Sequence, residues 1–137
     1  MSTTREIEPG QKIDLSCEVV GIDRSDRRAR LVEQQNGRPP QRIDGFTVGA
    51  PMLTGDAPHA GEMHPDGDEL LFLVSGAITV RLELPGGDRT IDMGPGEALV
   101  VPKGVWHLVH LREPGTLVHI TPGPHGDHRP LEGSSKP

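Results

Sequence analysis

Between residues 43 and 121 the chain is a succession of short apolar runs, each closed by a Gly, Pro or Asp turn signal. No stretch keeps a 3.6-residue period over a useful length, so the segment reads as strands rather than helices. Eight candidate strands fall near 46–53, 60–64, 69–75, 77–84, 89–93, 97–101, 106–112 and 116–121. In "ITVRLEL", Ile78, Val80, Leu82 and Leu84 share one face while Thr79, Arg81 and Glu83 share the other, the period-two pattern of a half-buried strand. "PGGD" at 85–88 is a strong turn. "LLFLV" and "ALVV" are apolar on both faces, as strands inside a sandwich or closed barrel are. The 18 glycines and 14 prolines suit tight turns and disfavour long helices. An all-β barrel or jelly roll is the architecture these features predict.

Three zones divide the 137 residues. Residues 1–42 form a polar N-terminal extension, with possible edge strands at "KIDLSCEVV" and "ARLVEQQ" and a turn-rich "QNGRPPQR". Residues 43–121 form the barrel, and residues 122–137 a Pro/Gly-rich tail expected to hug the surface or stay disordered. One domain is the expectation for this length. A formal net charge of −6 argues against a nucleic-acid partner, and "DRSDRRAR" reads as a solvated turn. With Cys17 the sole cysteine and no long apolar stretch or leader-like N-terminus, the chain reads as soluble, cytoplasmic and unattached to a membrane.

The chemistry concentrates in "GEMHPDGDELLFLVSG", residues 61–76. In a strand, Glu62 and His64 project to the same face. "PDGD" then turns the chain, with Gly67 expected to take a positive φ, and Glu69 opens the returning strand. One hairpin thus offers a carboxylate, an imidazole and a second carboxylate to a common point. In "GEALVVPKGVWH" a strand and a tight "PKG" turn deliver His107 on the face shared by Val105, Val109 and Leu111. If that face is the barrel interior, His107 meets the first three groups there.

The first segment resembles cupin motif 1, G-x5-H-x-H-x4-E-x6-G. His64, Glu69 and Gly76 fit in register, Glu62 stands in place of the first histidine, and Gly55 lies one residue early. The second resembles cupin motif 2, G-x5-P-x-G-x2-H-x3-N. Gly96, Pro102, Gly104 and His107 fit, and Leu111 replaces the final Asn. The chain is therefore similar to small single-domain cupins over about residues 46–121. That resemblance implies a double-stranded β-helix holding one divalent metal ion, with Glu62, His64, Glu69 and His107 as ligands. The departure at Glu62 matters: a second carboxylate makes the site formally neutral with a divalent ion, which weakens its Lewis acidity. Oxygen ligands shift preference from copper towards iron, manganese or zinc, and two histidines with one carboxylate still supply a facial triad.

Other groups have plainer readings. His59 is a surface histidine, or else a substitute ligand or base at the mouth. His110 packs between sheets or at a subunit contact, and His119 is a core histidine that could line the barrel. His125 and His128 are solvated, Met52, Met63 and Met93 fill the core, and Trp106 packs away from the ligands. Arg81 either lies outside or reaches in as an anion clamp.

For activity, the expectation is a small non-haem-iron-type oxygenase acting on a small anionic or carbonyl molecule in a cavity lined by Leu71, Leu73, Val105, Val109 and Leu111. Alternatives are a redox-neutral metal-dependent isomerase or lyase, with a metal-bound hydroxide, an unligated Glu62, His59 or His119 as base, and a non-catalytic ligand-binding cupin. The absence of tyrosine excludes lyase schemes that use one. A homodimer pairing through edge strands is the expected assembly.

Overall fold

The protein is described by a computed structural model over residues 4–33 and 42–131. Thirteen strands lie among the described residues: β1 (Thr4–Arg5), β2 (Val19–Asp23), β3 (Ala29–Val32), β4 (Gly45–Gly49), β5 (Met52–Leu53), β6 (Gly61–Met63), β7 (Glu69–Leu73), β8 (Ala77–Leu84), β9 (Gly87–Met93), β10 (Ala98–Val101), β11 (His107–Glu113), β12 (Gly115–Gly123) and β13 (Asp127–Arg129). They form two antiparallel sheets. The larger runs β1-β3-β2-β4-β12-β7-β10, with β5 also paired to β12, and the smaller runs β13-β6-β11-β8-β9. No helix among the described residues is long and apolar enough to cross a membrane.

The sheets face each other across one core, as the alternation in the sequence requires. Leu71, Leu73, Val101 and Leu117 come from the larger sheet, and Ile78, Val80, Leu82 and Met93 from the smaller. Leu73, Ile78 and Val80 are fully buried, each excluding about 1.5–3 kcal/mol worth of apolar surface from water. This is the double-stranded β-helix expected of the motif pattern. Gly76, between β7 and β8, has φ +86°, and a Cβ there would sit 2.6 Å from the Pro114 carbonyl. Only glycine fits that turn.

Several local expectations need correction. The strand expected across "KIDLSCEVV" starts only at Val19, because the Asp14 carboxylate accepts the Ser16 N–H (2.9 Å) and holds the preceding residues in a turn. The run 46–53 is two strands, interrupted at Ala50 and Pro51, where proline offers no N–H to the ladder. Gly67 does not take a positive φ, and a Cβ there would lie at ordinary contact distance, 3.4 Å, from the Pro122 ring. The tail zone supplies the end of β12 and all of β13, which pairs with β6. "DRSDRRAR" is the solvated turn joining β2 to β3, with Asp23 ending one strand and Arg30, on the other, paired with Glu6 and Asp26. The end of "ARLVEQQ", most of "QNGRPPQR" and residues 132–137 lie outside the described residues.

Candidate metal centre

Three elements bring the four ligand-type residues together. Glu62 lies on β6, His64 just beyond it, Glu69 opens β7, and His107 opens β11 directly opposite Glu62 in the ladder. The turns carrying them brace each other: Gly104 N–H donates to the His64 carbonyl (2.9 Å), and Lys103 N–H to the Asp68 carboxylate (2.8 Å).

His64, Glu69 and His107 are each 4 % exposed, so three polar side chains are buried together. Glu69 Oε1 stands 3.1 Å from His107 Nε2 and 3.5 Å from His64 Nε2. Glu62 Oε1 stands 4.0 Å from both ring nitrogens. Ligand atoms of Glu62, His64 and His107 all lie within 4.8 Å of one another, a group that can hold a metal ion. Donors bound to one ion at about 2.0–2.2 Å are themselves roughly 3–4 Å apart, and the site matches that spacing. His64 Nε2 and Glu69 Oε1 are buried with no hydrogen-bond partner. Orphaned buried groups of this kind are costly, and a divalent cation satisfies both. The donor set therefore fits a metal.

The remaining oxygen of Glu69 is held by Thr121, whose hydroxyl donates to Oε2 at 2.6 Å. Since that proton is committed, Thr121 Oγ1 accepts from His119 Nδ1 (2.9 Å), which leaves His119 Nε2 as the lone-pair nitrogen when the ring is neutral. Gly49 permits this placement, for a Cβ there would meet His119 Nε2 at 2.6 Å. On the other flank, His59 Nδ1 accepts the Gly61 N–H (3.1 Å). Its Nε2 is then the protonated nitrogen, 3.6 Å from Glu62 Oε2.

The electrostatics follow from this packing. Burial alone would raise the Glu69 carboxyl, but the facing His107 and His64 imidazoles outweigh it and hold Glu69 well below the carboxylate range. Burial would lower His107, and Glu69 reverses that, so His107 is raised. His119 is lowered, chiefly by burial.

The site opens into a cavity of about 1050 Å³, at the upper end of ligand pockets. Leu71, Val109 and Leu111 line it as expected; Leu73 and Val105 pack in the core instead. His59 is not a surface residue but a half-buried part of the cavity wall. His110 is not packed between sheets: its ring is 48 % exposed beside Asp56. Met52 is exposed and lines the cavity rather than filling the core. Arg81 points outward, since Ile78, Val80 and Leu82 take the inner face of β8. Trp106 carries the Arg129 guanidinium 4.0 Å over its ring. His125 is exposed and tied to Asp66, and His128 is exposed on β13. Thr121 and Arg42, which also line the cavity, carry no signal in the linear pattern.

Comparison with known proteins agrees with this geometry. The family described as "Cupin domain" matches residues 53–126, more than half of the chain. No curated protein matches it. Among solved structures, the S161A mutant of Bacillus subtilis oxalate decarboxylase is similar over 63 % of this chain and 24 % of its own, at 21 % identity and TM-score 0.52. Another structure of that enzyme, with the same coverage, concerns its Mn(II) centres. Peruvianin-I, described as a cysteine peptidase from Thevetia peruviana latex, is similar over 64 % of this chain and 57 % of its own, at 16 % identity and TM-score 0.53. The chain thus spans about a quarter of the decarboxylase, and these likenesses concern the fold. A decarboxylase and a protein described as a peptidase on one scaffold illustrate that the fold alone does not name a reaction.

Proposed function

The chain belongs to the cupin family, and from that premise we propose that it is a metal-dependent enzyme, a small non-haem-iron-type oxygenase acting on a small anionic or carbonyl molecule. The observation that carries this reading is the convergence of Glu62, His64, Glu69 and His107, with His64 Nε2 and Glu69 Oε1 buried and engaged in no hydrogen bond. His64, His107 and Glu69 would hold the ion as a two-histidine, one-carboxylate face, with Glu62 as the fourth ligand. Iron, manganese and zinc suit this oxygen-rich set best. A bound ion supplies Lewis-acid or one-electron chemistry at the cavity floor.

The surrounding residues have definite tasks. Thr121 presents one Glu69 oxygen to the ion by occupying the other. His59 steadies the Glu62 carboxylate from the cavity side. Leu71, Val109 and Leu111 keep the floor apolar, which strengthens every charge interaction there.

His119 supports a second reading, redox-neutral isomerisation or elimination. Its ring is kept neutral by burial, and its Nε2 is the nitrogen free to take a proton. The test that separates the two is metal analysis of the purified protein by mass spectrometry, then oxygen uptake after anaerobic iron(II) loading. Stoichiometric iron with oxygen consumption supports the oxygenase. Tightly held zinc or manganese, inert to oxygen, moves the assignment to redox-neutral chemistry. Protein that takes up none of these metals refutes both.

A homodimer is part of the proposal, through the outer face of the larger sheet rather than its edges. Ladder neighbours Val100, Leu70, Ile120 and Val48 form an apolar row across β10, β7, β12 and β4. Phe72, Val74, Phe46 and Ile22 beside it are exposed, a patch that suits a self-complementary contact. The exposed thiol of Cys17 fits a reducing compartment, and we assign the cytoplasm on that ground.

A further inference from the structure

We propose that Arg42 is the receptor for the carboxylate of the molecule bound in the cavity, which makes the ligand a monoanionic acid with an apolar body. The inference rests on the metal-site reading above and deepens it.

Arg42 lies ahead of β4, outside the residues that match the family. It nevertheless lines the same cavity as Glu62, His64, Glu69 and His107. Its Nη1 is buried and has no hydrogen-bond partner, and among the described residues Arg42 makes no ion pair. A guanidinium nitrogen in that state is an unfilled donor, since arginine stays charged and its fork matches a carboxylate bidentately. The stem is seated firmly: a Cβ on Gly123 would come within 2.8 Å of Arg42 Cβ, so β12 accepts the arginine closely only because glycine stands there.

Charge selects the ligand's sign. With a divalent ion in place, Glu62 and Glu69 are compensated and the histidines are neutral. Arg42 then remains as a surplus positive charge on the inner wall. The acidic residues lining the cavity elsewhere, Asp56 and Asp127, are exposed to solvent and screened by it. Arg42 also acts on His119, its charge adding to burial in lowering that ring, so it stands within electrostatic reach of the ligand-holding wall. Leu53, Leu71, Val109, Leu111 and Leu117 supply the apolar lining. That lining suits a hydrocarbon body and favours an organic acid over a small inorganic anion.

Calorimetric titration tests this on manganese-loaded protein, with metal content measured on each sample first. Butyrate, its neutral isostere butyramide and inorganic phosphate serve as probes against wild type, Arg42→Gln and Arg42→Lys. The expected result is butyrate binding that weakens at least about tenfold in Arg42→Gln, the loss expected for one charge-assisted hydrogen bond, and recovers in part in Arg42→Lys. Metal content should stay unchanged throughout, and butyramide should bind poorly to all three. Equal butyrate affinity in wild type and both variants overturns the assignment, as does wild type that ignores butyrate or prefers phosphate. If Arg42→Gln does not fold, the Arg42→Lys titration and the butyrate-to-butyramide ratio of wild type decide alone. Wild type that takes up no metal sinks the underlying metal reading before any acid is added, and this inference with it.

Discussion

Thr121 donates its hydroxyl to Glu69 Oε2 at 2.6 Å, which leaves Glu69 Oε1 as the oxygen turned towards His64 and His107. The carboxylate's aim is thus set by a neighbour that is itself fully buried. Thr121→Val keeps the shape and removes the donor. Metal affinity should fall about 10–100-fold, the usual effect of losing such a supporting bond, and the metal-free protein should lose roughly 1–3 kcal/mol. Competition against a chromophoric chelator and urea unfolding measure the two. Unchanged affinity would mean that packing alone aims Glu69.

His107 and Glu62 differ in burial, and their variants should differ accordingly. His107→Ala removes a proposed ligand 4 % exposed and should abolish stoichiometric metal. Glu62→Ala removes one 32 % exposed on its side chain and should leave weaker, partial loading. Elemental mass spectrometry of the two variants after identical dialysis makes the comparison. Retention in both at the wild-type level would show that neither is a ligand.

Two of the inner histidines should titrate on opposite sides of their ordinary value of 6.5 in metal-free protein, His107 above it and His119 below. Because folding raises His107, its contribution to stability is complete below about 6.5 and is lost as pH rises through the folded value. Folding lowers His119, so its contribution is present above about 6.5 and disappears as pH falls through the folded value. Glu69, held far below its ordinary 4.5, contributes above that value and fails only in stronger acid. Imidazole NMR titration, read beside denaturation at several pH values, checks the directions. His107 titrating below His119 would contradict the geometry of the Glu69 contacts.

Phe72 is 37 % exposed on the outward side of β7, beside Val118 in the ladder. Phe72→Glu places a charge in the middle of the apolar patch and should convert a dimer to monomer at micromolar concentration, with metal content intact. Sedimentation velocity reads this directly. A monomeric wild type would remove the proposed interface.

The barrel is legible in the letters because its signals are local. Alternation marks β8, "PGGD" marks its hairpin, and "PKG" places His107 at the start of β11. Glu62, His64 and Glu69 can be found for the same reason, since one strand–turn–strand stretch carries them; the expected hairpin is not formed, because β6 and β7 pair in different sheets and the turn crosses between them. β13 has no such signature: "DHR" is polar, and it pairs because β6 offers a free edge and Arg129 binds Glu83 at 2.6 and 3.0 Å. Thr121 and Arg42 are silent for a different cause. Each acquires its role from residues far along the chain, Glu69 for one and the cavity with Gly123 for the other, and no periodicity encodes that. His59 and His110 exchange their expected surroundings because the irregular stretch between β5 and β6 sets no face for His59, while β11 turns His110 outward.

The opposition of His107 and Glu62 across the β11–β6 ladder has one more consequence. In a sheet, sliding one strand by a single residue turns every side chain on it to the other face. A one-residue slip of β11 would turn Val109 and Leu111 out of the core together with His107, so the packing that buries them also aims the imidazole at the carboxylates. Only the observed register brings His107 Nε2 to 3.1 Å from Glu69 Oε1 and 4.0 Å from Glu62 Oε1, so the proposed ion would be held by correctly paired molecules.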